Sequence, residues 1–295
     1  MLTTLAEFIE QAWNDHVDDL AGVTSRLDKG LSLLDRFPEQ LGDFLQLAEH
    51  VHLAHHGNPD ALQAVLDRVA PVLAVQADAK PVAERARLAM KLLRDEACFE
   101  LTLPMPAVVR AHGAAICGFI AGGGFSKARR LLQSATSLAC DADVAVRTDA
   151  KKALAASCNN AATVLLDLPR SPEVDALMFE TAALSRSTWG EIGTWLNVER
   201  AEYLLALCAS AVGDGQRAVE HAQLCVSICE TNSADAFEIF FAREAMAKAL
   251  LTSGDRHAAD KDSQRMQALL MQITDEGQRK LASSTLDKLI ALTTA

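Results

Sequence analysis

The stretch AEYLLALCASAVGDGQRAVEHA, residues 201–222, sets small side chains on either side of a glycine turn, and it repeats. Aligned with REAMAKALLTSGDRHAADKDS, residues 243–263, it pairs Ala206 with Ala247, Gly213 with Gly254 and Ala218 with Ala259, at the same offset each time. A fixed period of this length is the mark of a stacked-repeat architecture. Its physical reading is a helical hairpin. Two helix backbones come close only where side chains are small, and glycine serves where the chain reverses after the first helix.

Two earlier stretches fit the same frame. RAHGAAICGFIAGGGFSKARRLL, residues 110–132, puts Gly123 at the turn and Ala128 in the second helix, with Ile116 in place of a small residue. SCNNAATVLLDLPRSPEVDALMFETA, residues 157–182, fits with a slightly longer turn, which places Ala162 and Ala176 at the small positions. The spacing is not constant over all four units: it shortens at each step from Ile116 to Ala162, to Ala206 and to Ala247.

This pattern resembles the tetratricopeptide repeat, and the Asn159–Asn160 pair looks like the start of the longer-period repeats of kinesin light chains. The large aromatic that the family carries early in its first helix is absent. The resemblance covers residues 104 to about 275. It implies an all-α fold, a right-handed superhelical solenoid of antiparallel hairpins. Repeats would occupy 101–276, a capping helix 277–295, and a helical segment that either continues the stack or forms its own bundle 1–100.

In that family, peptides lie along a concave wall lined by the first helix of each pair. The resemblance therefore assigns the groove to Arg110, Asn159, Asn160, Arg200, Tyr203, Glu244 and Lys248. Amides both donate to and accept from a peptide backbone, and the cations suit a carboxylate. The alternative is that these residues bridge neighbouring helices, as Arg200 to Glu244 would. On the first reading the protein is a non-catalytic scaffold or adaptor for a protein or peptide partner. Self-association through an open solenoid end is the other partnership the architecture allows.

Composition agrees with helices. Half of the residues are hydrophobic but only 5% are aromatic, and runs rich in Val, Ile and Thr are few, so strands are poorly supported. Prolines and glycines mark short joints from RFPEQ at 36–40 to TDEG at 274–277, and helices joined so briefly pack as antiparallel neighbours. Pro71 is expected to end or kink a helix that starts at Asp60.

Charge narrows the partners. Residues 1–100 hold 17 Asp and Glu against 9 Lys and Arg, and the whole chain carries −11 with no basic stripe, which argues against nucleic acid. The longest mostly apolar run, AAICGFIAGGGF at 114–125, is too short to cross a bilayer. MLTTLAEFIE at the start has no charged n-region, so a cytoplasmic location is expected. Seven scattered cysteines, Cys98 among them, read as reduced thiols, and Cys225 and Cys229 read as core filling.

The histidines supply the competing function. Five of the eight lie at or before His56, and EHVHLAHHG at 49–57 puts Glu49, His52 and His56 on one face of an α-helix. A carboxylate and imidazoles at that spacing suit zinc or iron, which would make the chain a metal-binding enzyme or sensor. Such sites need a second helix. His16 with Asp15 or Asp19 is the only candidate nearby in sequence. Otherwise the cluster is a solvated helix end, with His55 and His56 near its C-terminal dipole. AGGGFSKARR at 121–130 lacks the strand and spacing of a phosphate loop, and no nucleophile motif occurs, so no cofactor and no catalytic residue are implied.

Overall fold

The computed structural model describes residues 4–16, 18–96 and 103–294. Among these the chain is helical throughout, with no strand. Cys98, Thr102 of the joint TLPMP, and Met1 to Thr3 of the segment read for a secretion signal lie outside the described residues. The chain divides into two compact units, one ending at Asn160 and one starting at Ala161.

The first unit opens with α1 (Leu5–Asp15) and α2 (Leu20–Leu33), followed by α3 (Leu41–Glu49), which runs on as a π-helical segment over His50–His55. Next come α4 (Pro59–Arg68), α5 (Ala70–Val75) and α6 (Lys80–Leu93). Then follow α7 (Met105–Ala121), α8 (Phe125–Asp141) and the start of α9 (Val144–Leu166). A core of Leu5, Phe8, Leu41, Phe44, Leu45 and Leu62 holds the first helices together, all essentially without solvent exposure. Pro71 acts as expected: α4 stops at Arg68 and a new helix starts with proline in its first turn.

Backbone packs on backbone where the π-segment ends. A Cβ on Gly118 of α7 would lie 2.9 Å from the Leu53 carbonyl oxygen, and one on Gly57 would lie 2.6 Å from the Gly118 oxygen. Only glycine at both positions permits this approach, which anchors the π-segment on α7.

The second unit holds the end of α9, then α10 (Pro172–Ile192), α11 (Trp195–Ala211), α12 (Gly215–Thr231), α13 (Ala236–Ser253), α14 (Arg256–Leu270) and α15 (Glu276–Thr294). The small positions Ala206, Ala218, Ala247 and Ala259 are all 0% exposed. Gly213 and Gly254 reverse the chain at φ +79 and +89, the left-handed region that glycine enters without strain. Asp214 and Asp255 then cap α12 and α14 by accepting from Arg217 N and Ala258 N, so the cap repeats with the same period as the glycine. α13 packs against α11 and α15 as well as against α12 and α14.

Two expectations need correction. Ala176, placed at a helix contact by the repeat frame, is exposed, while Val174, Leu177 and Met178 are buried. The cause is the turn before α10: Arg170 folds back to donate to the carbonyls of Leu165 and Leu168, and Ser171 caps the helix, which shifts its buried face. Joints also occur between α1 and α2, α8 and α9, and α12 and α13. Asp19 and Asp235 start α2 and α13 as N-caps without any proline or paired glycine to announce them.

Candidate functional site

Within the second unit, α11 and α13 lie side by side and are laced by polar side chains. The Tyr203 hydroxyl donates to Glu244 Oε2 at 2.6 Å, and Lys248 Nζ meets the other oxygen of Glu244 at 2.6 Å. Glu244 is 2% exposed, so this carboxylate is buried with both oxygens satisfied. Burial and the neighbouring carboxylate push the Tyr203 phenol well above its usual range. Arg200 pairs with Glu238 rather than Glu244, keeping more than half of its own side chain in solvent.

Beneath this layer Cys225 Sγ donates to Glu199 Oε1 at 2.7 Å. Glu199 is 1% exposed and its Oε2 has no hydrogen-bond partner among the described residues. Burial raises its carboxyl, and the nearby Glu238 adds to the effect against Cys225 and Arg200. Glu202 has the opposite balance: burial is outweighed by His221 and Arg186, which hold it below the usual carboxylate range.

A groove of about 520 Å³ opens beside the Glu244 network. Leu166 of α9, Leu207 and Ser210 of α11, Lys248 and Leu251 of α13 and Leu292 of α15 line it. Ala211, Thr252 and Arg256 complete the lining, so leucines share the walls with two cations and two hydroxyls, and Ser210 Oγ is buried there without a hydrogen-bond partner among the described residues. Such a mixture of apolar side chains and placed polar atoms is the usual makeup of a recognition site.

The residues assigned by the resemblance are distributed as follows. Tyr203, Glu244 and Lys248 come together, and only Lys248 of these lines the groove. Arg200 sits beside them on α11. Arg110 on α7 and Asn160 on α9 are exposed, Asn159 is half-buried, and all three belong to the first unit. The groove lining was missed, although the repeat alignment relates its positions on α11 and α13. Leu207 and Lys248 are equivalent positions, as are Ser210 and Leu251, each pair separated by the offset that relates Ala206 to Ala247.

The N-terminal cluster is arranged differently from its α-helical reading. Glu49 is 4% exposed and forms an ion pair with Arg85, whose Nε donates at 3.1 Å. Burial raises the Glu49 carboxyl while Arg85 opposes the rise. His56 Nε2 meets Thr24 Oγ1 at 2.9 Å, and burial together with His56 lowers His52. The α-helical spacing that would set Glu49, His52 and His56 in line ends at His50, where the π-turn begins. The side chains that do converge are His16, His50 and His55.

Among the described helices, none is long and apolar enough to cross a membrane. The chain matches no protein-family model and no curated protein.

Proposed function

We propose that this chain is a helical-repeat binding protein of the tetratricopeptide-like kind, which holds a peptide segment of a protein partner and performs no chemistry of its own. The observation that carries this reading is the groove on α9, α11, α13 and α15, to which α11 and α13 contribute residues at equivalent repeat positions. The first helices of successive hairpins lie together, and the paired glycine and aspartate at 213–214 and 254–255 recur with the repeat. The occupant that fits is an extended peptide with a branched apolar side chain for Leu207, Leu251 and Leu292, and a carboxylate beside Arg256 and the Lys248 that already meets Glu244. The protein then serves as a scaffold or adaptor in the cytoplasm.

The test uses a displayed library of random dodecapeptides selected on the immobilised protein. Selected peptides should share an acidic residue near an aliphatic one, and Leu251→Asp should abolish their binding while the helical circular dichroism is kept. Peptides that bind a folded Leu251→Asp variant as well as the wild type would remove the groove from consideration.

A further inference from the structure

We propose that His16, His50 and His55 form a three-histidine site for a divalent transition-metal ion, with zinc the best match. One ring nitrogen from each lies within 4.8 Å of the others, and His50 Nε2 and His55 Nε2 are 3.0 Å apart. Zinc–nitrogen bonds of about 2.0–2.1 Å set two ligands of a tetrahedral site roughly 3.3 Å apart, so the pair opens by only a few tenths of an ångström to admit the ion. Three protein ligands leave a fourth position for water or a partner's side chain.

The backbone is built for this convergence. Residues five apart on an α-helix point about 140° away from each other, but in a π-turn the i to i+5 hydrogen bond stacks them on one face. His50 and His55 are the first and last residues of the π-segment, a rare conformation that concentrates at functional sites. The third ligand comes from the end of α1. His16 donates from Nδ1 to the Trp13 carbonyl at 2.7 Å, which leaves Nε2 with its lone pair and fixes the ring. A backbone carbonyl on the far nitrogen is the usual orienting partner of a metal-binding imidazole.

Burial, with the neighbouring histidines adding to it, lowers His50 to about 3, and His55 is lowered too. In the metal-free protein one of the two facing Nε2 atoms carries a proton, and coordination moves that proton to Nδ1. Access also fits the site. Trp13 tilts over His50 with ring centroids 4.9 Å apart and is 37% exposed, so the three half-buried imidazoles lie close to solvent. The site is independent of the peptide groove, which belongs to the other unit.

The full chain, free of any affinity tag and stripped by chelator, is titrated with Zn²⁺ by calorimetry and with Co²⁺ by visible absorption. One equivalent per chain is expected, with cobalt bands of a four- or five-coordinate nitrogen site. His16→Ala, at the end of α1, and His55→Ala should each weaken Zn²⁺ at least tenfold, while His52→Ala binds as the wild type does. Far-ultraviolet circular dichroism confirms that the variants are folded, and His16→Ala alone decides the matter if His55→Ala is not. The proposal is overturned if the wild type takes up no equivalent at 100-fold molar excess, or if His16→Ala binds as tightly as the wild type.

Discussion

The Tyr203 hydroxyl donates to Glu244 Oε2 at 2.6 Å across 41 residues of sequence, one repeat length. A bond between equivalent helices of successive hairpins fixes their rotation as well as their spacing. Glu244 is buried, so removing the donor leaves an acceptor that water cannot reach. Tyr203→Phe is expected to cost about 1–3 kcal/mol in urea unfolding. A double-mutant cycle with Glu244→Gln should return a coupling above about 0.5 kcal/mol. Zero coupling would mean that the two side chains are merely adjacent.

Glu199 should give the second unit a pH dependence of unusual sign. Its carboxyl is raised above the ordinary value of 4.5, mainly by burial, with Glu238 adding to the rise and Cys225 and Arg200 opposing it. Between the unfolded and folded values the folded state holds the extra proton, so its contribution is full below 4.5 and is lost as pH rises through the folded value. Glu199→Gln removes the titration with little change of shape. The stability of the variant relative to the wild type should therefore increase from pH 4 to pH 8, measured by denaturant midpoints at each pH. A pH-independent difference would mean that Glu199 titrates alike in the folded and unfolded states.

Glycines in the two units should respond oppositely to asparagine. Gly213 and Gly254 have φ of +79 and +89 and open space where a Cβ would stand, so alanine there costs about 1–2 kcal/mol from backbone conformation alone. Asparagine, which tolerates that region, should recover part of the loss. At Gly118 the added carbon meets the Leu53 carbonyl oxygen at 2.9 Å, and alanine costs roughly 1–3 kcal/mol through displacement of the π-segment. Asparagine there should be worse than alanine. Thermal midpoints of the six variants decide it.

These glycines also mark what the sequence makes legible. Gly123, Gly213 and Gly254 can be read as turns because no other residue takes a positive φ so readily, and the four alanines of the last two hairpins can be read as contacts because closeness demands small side chains. Ala176 is misplaced by the repeat frame because α10 starts where Ser171 caps it, after a turn in which Arg170 folds back onto the Leu165 and Leu168 carbonyls. The π-segment has no compositional signature, so Glu49, His52 and His56 looked aligned when His50 and His55 are the pair that stacks. His16 joins them from the end of α1, with all of α2 intervening in sequence, through tertiary packing that helical periodicity does not encode.

The same π-segment makes the ion pair at its start a sensitive point. Glu49 is 6% and Arg85 15% exposed at the side chain, and the pair ties the end of α3 to α6. Removing the cation alone leaves a buried carboxylate whose burial already raises it, so Arg85→Ala is expected to destabilise by about 3–5 kcal/mol at pH 7 and by less at pH 5, where the carboxyl takes up a proton more readily. Replacing both, as Glu49→Leu with Arg85→Met, exchanges the pair for apolar volume and should be within about 1 kcal/mol of the wild type or more stable. Urea unfolding of the single and double variants at the two pH values separates the cases. If the double variant lost as much stability as Arg85→Ala, the pair would be holding the geometry of the π-turn itself, and Zn²⁺ uptake by His50 and His55 should fall with it.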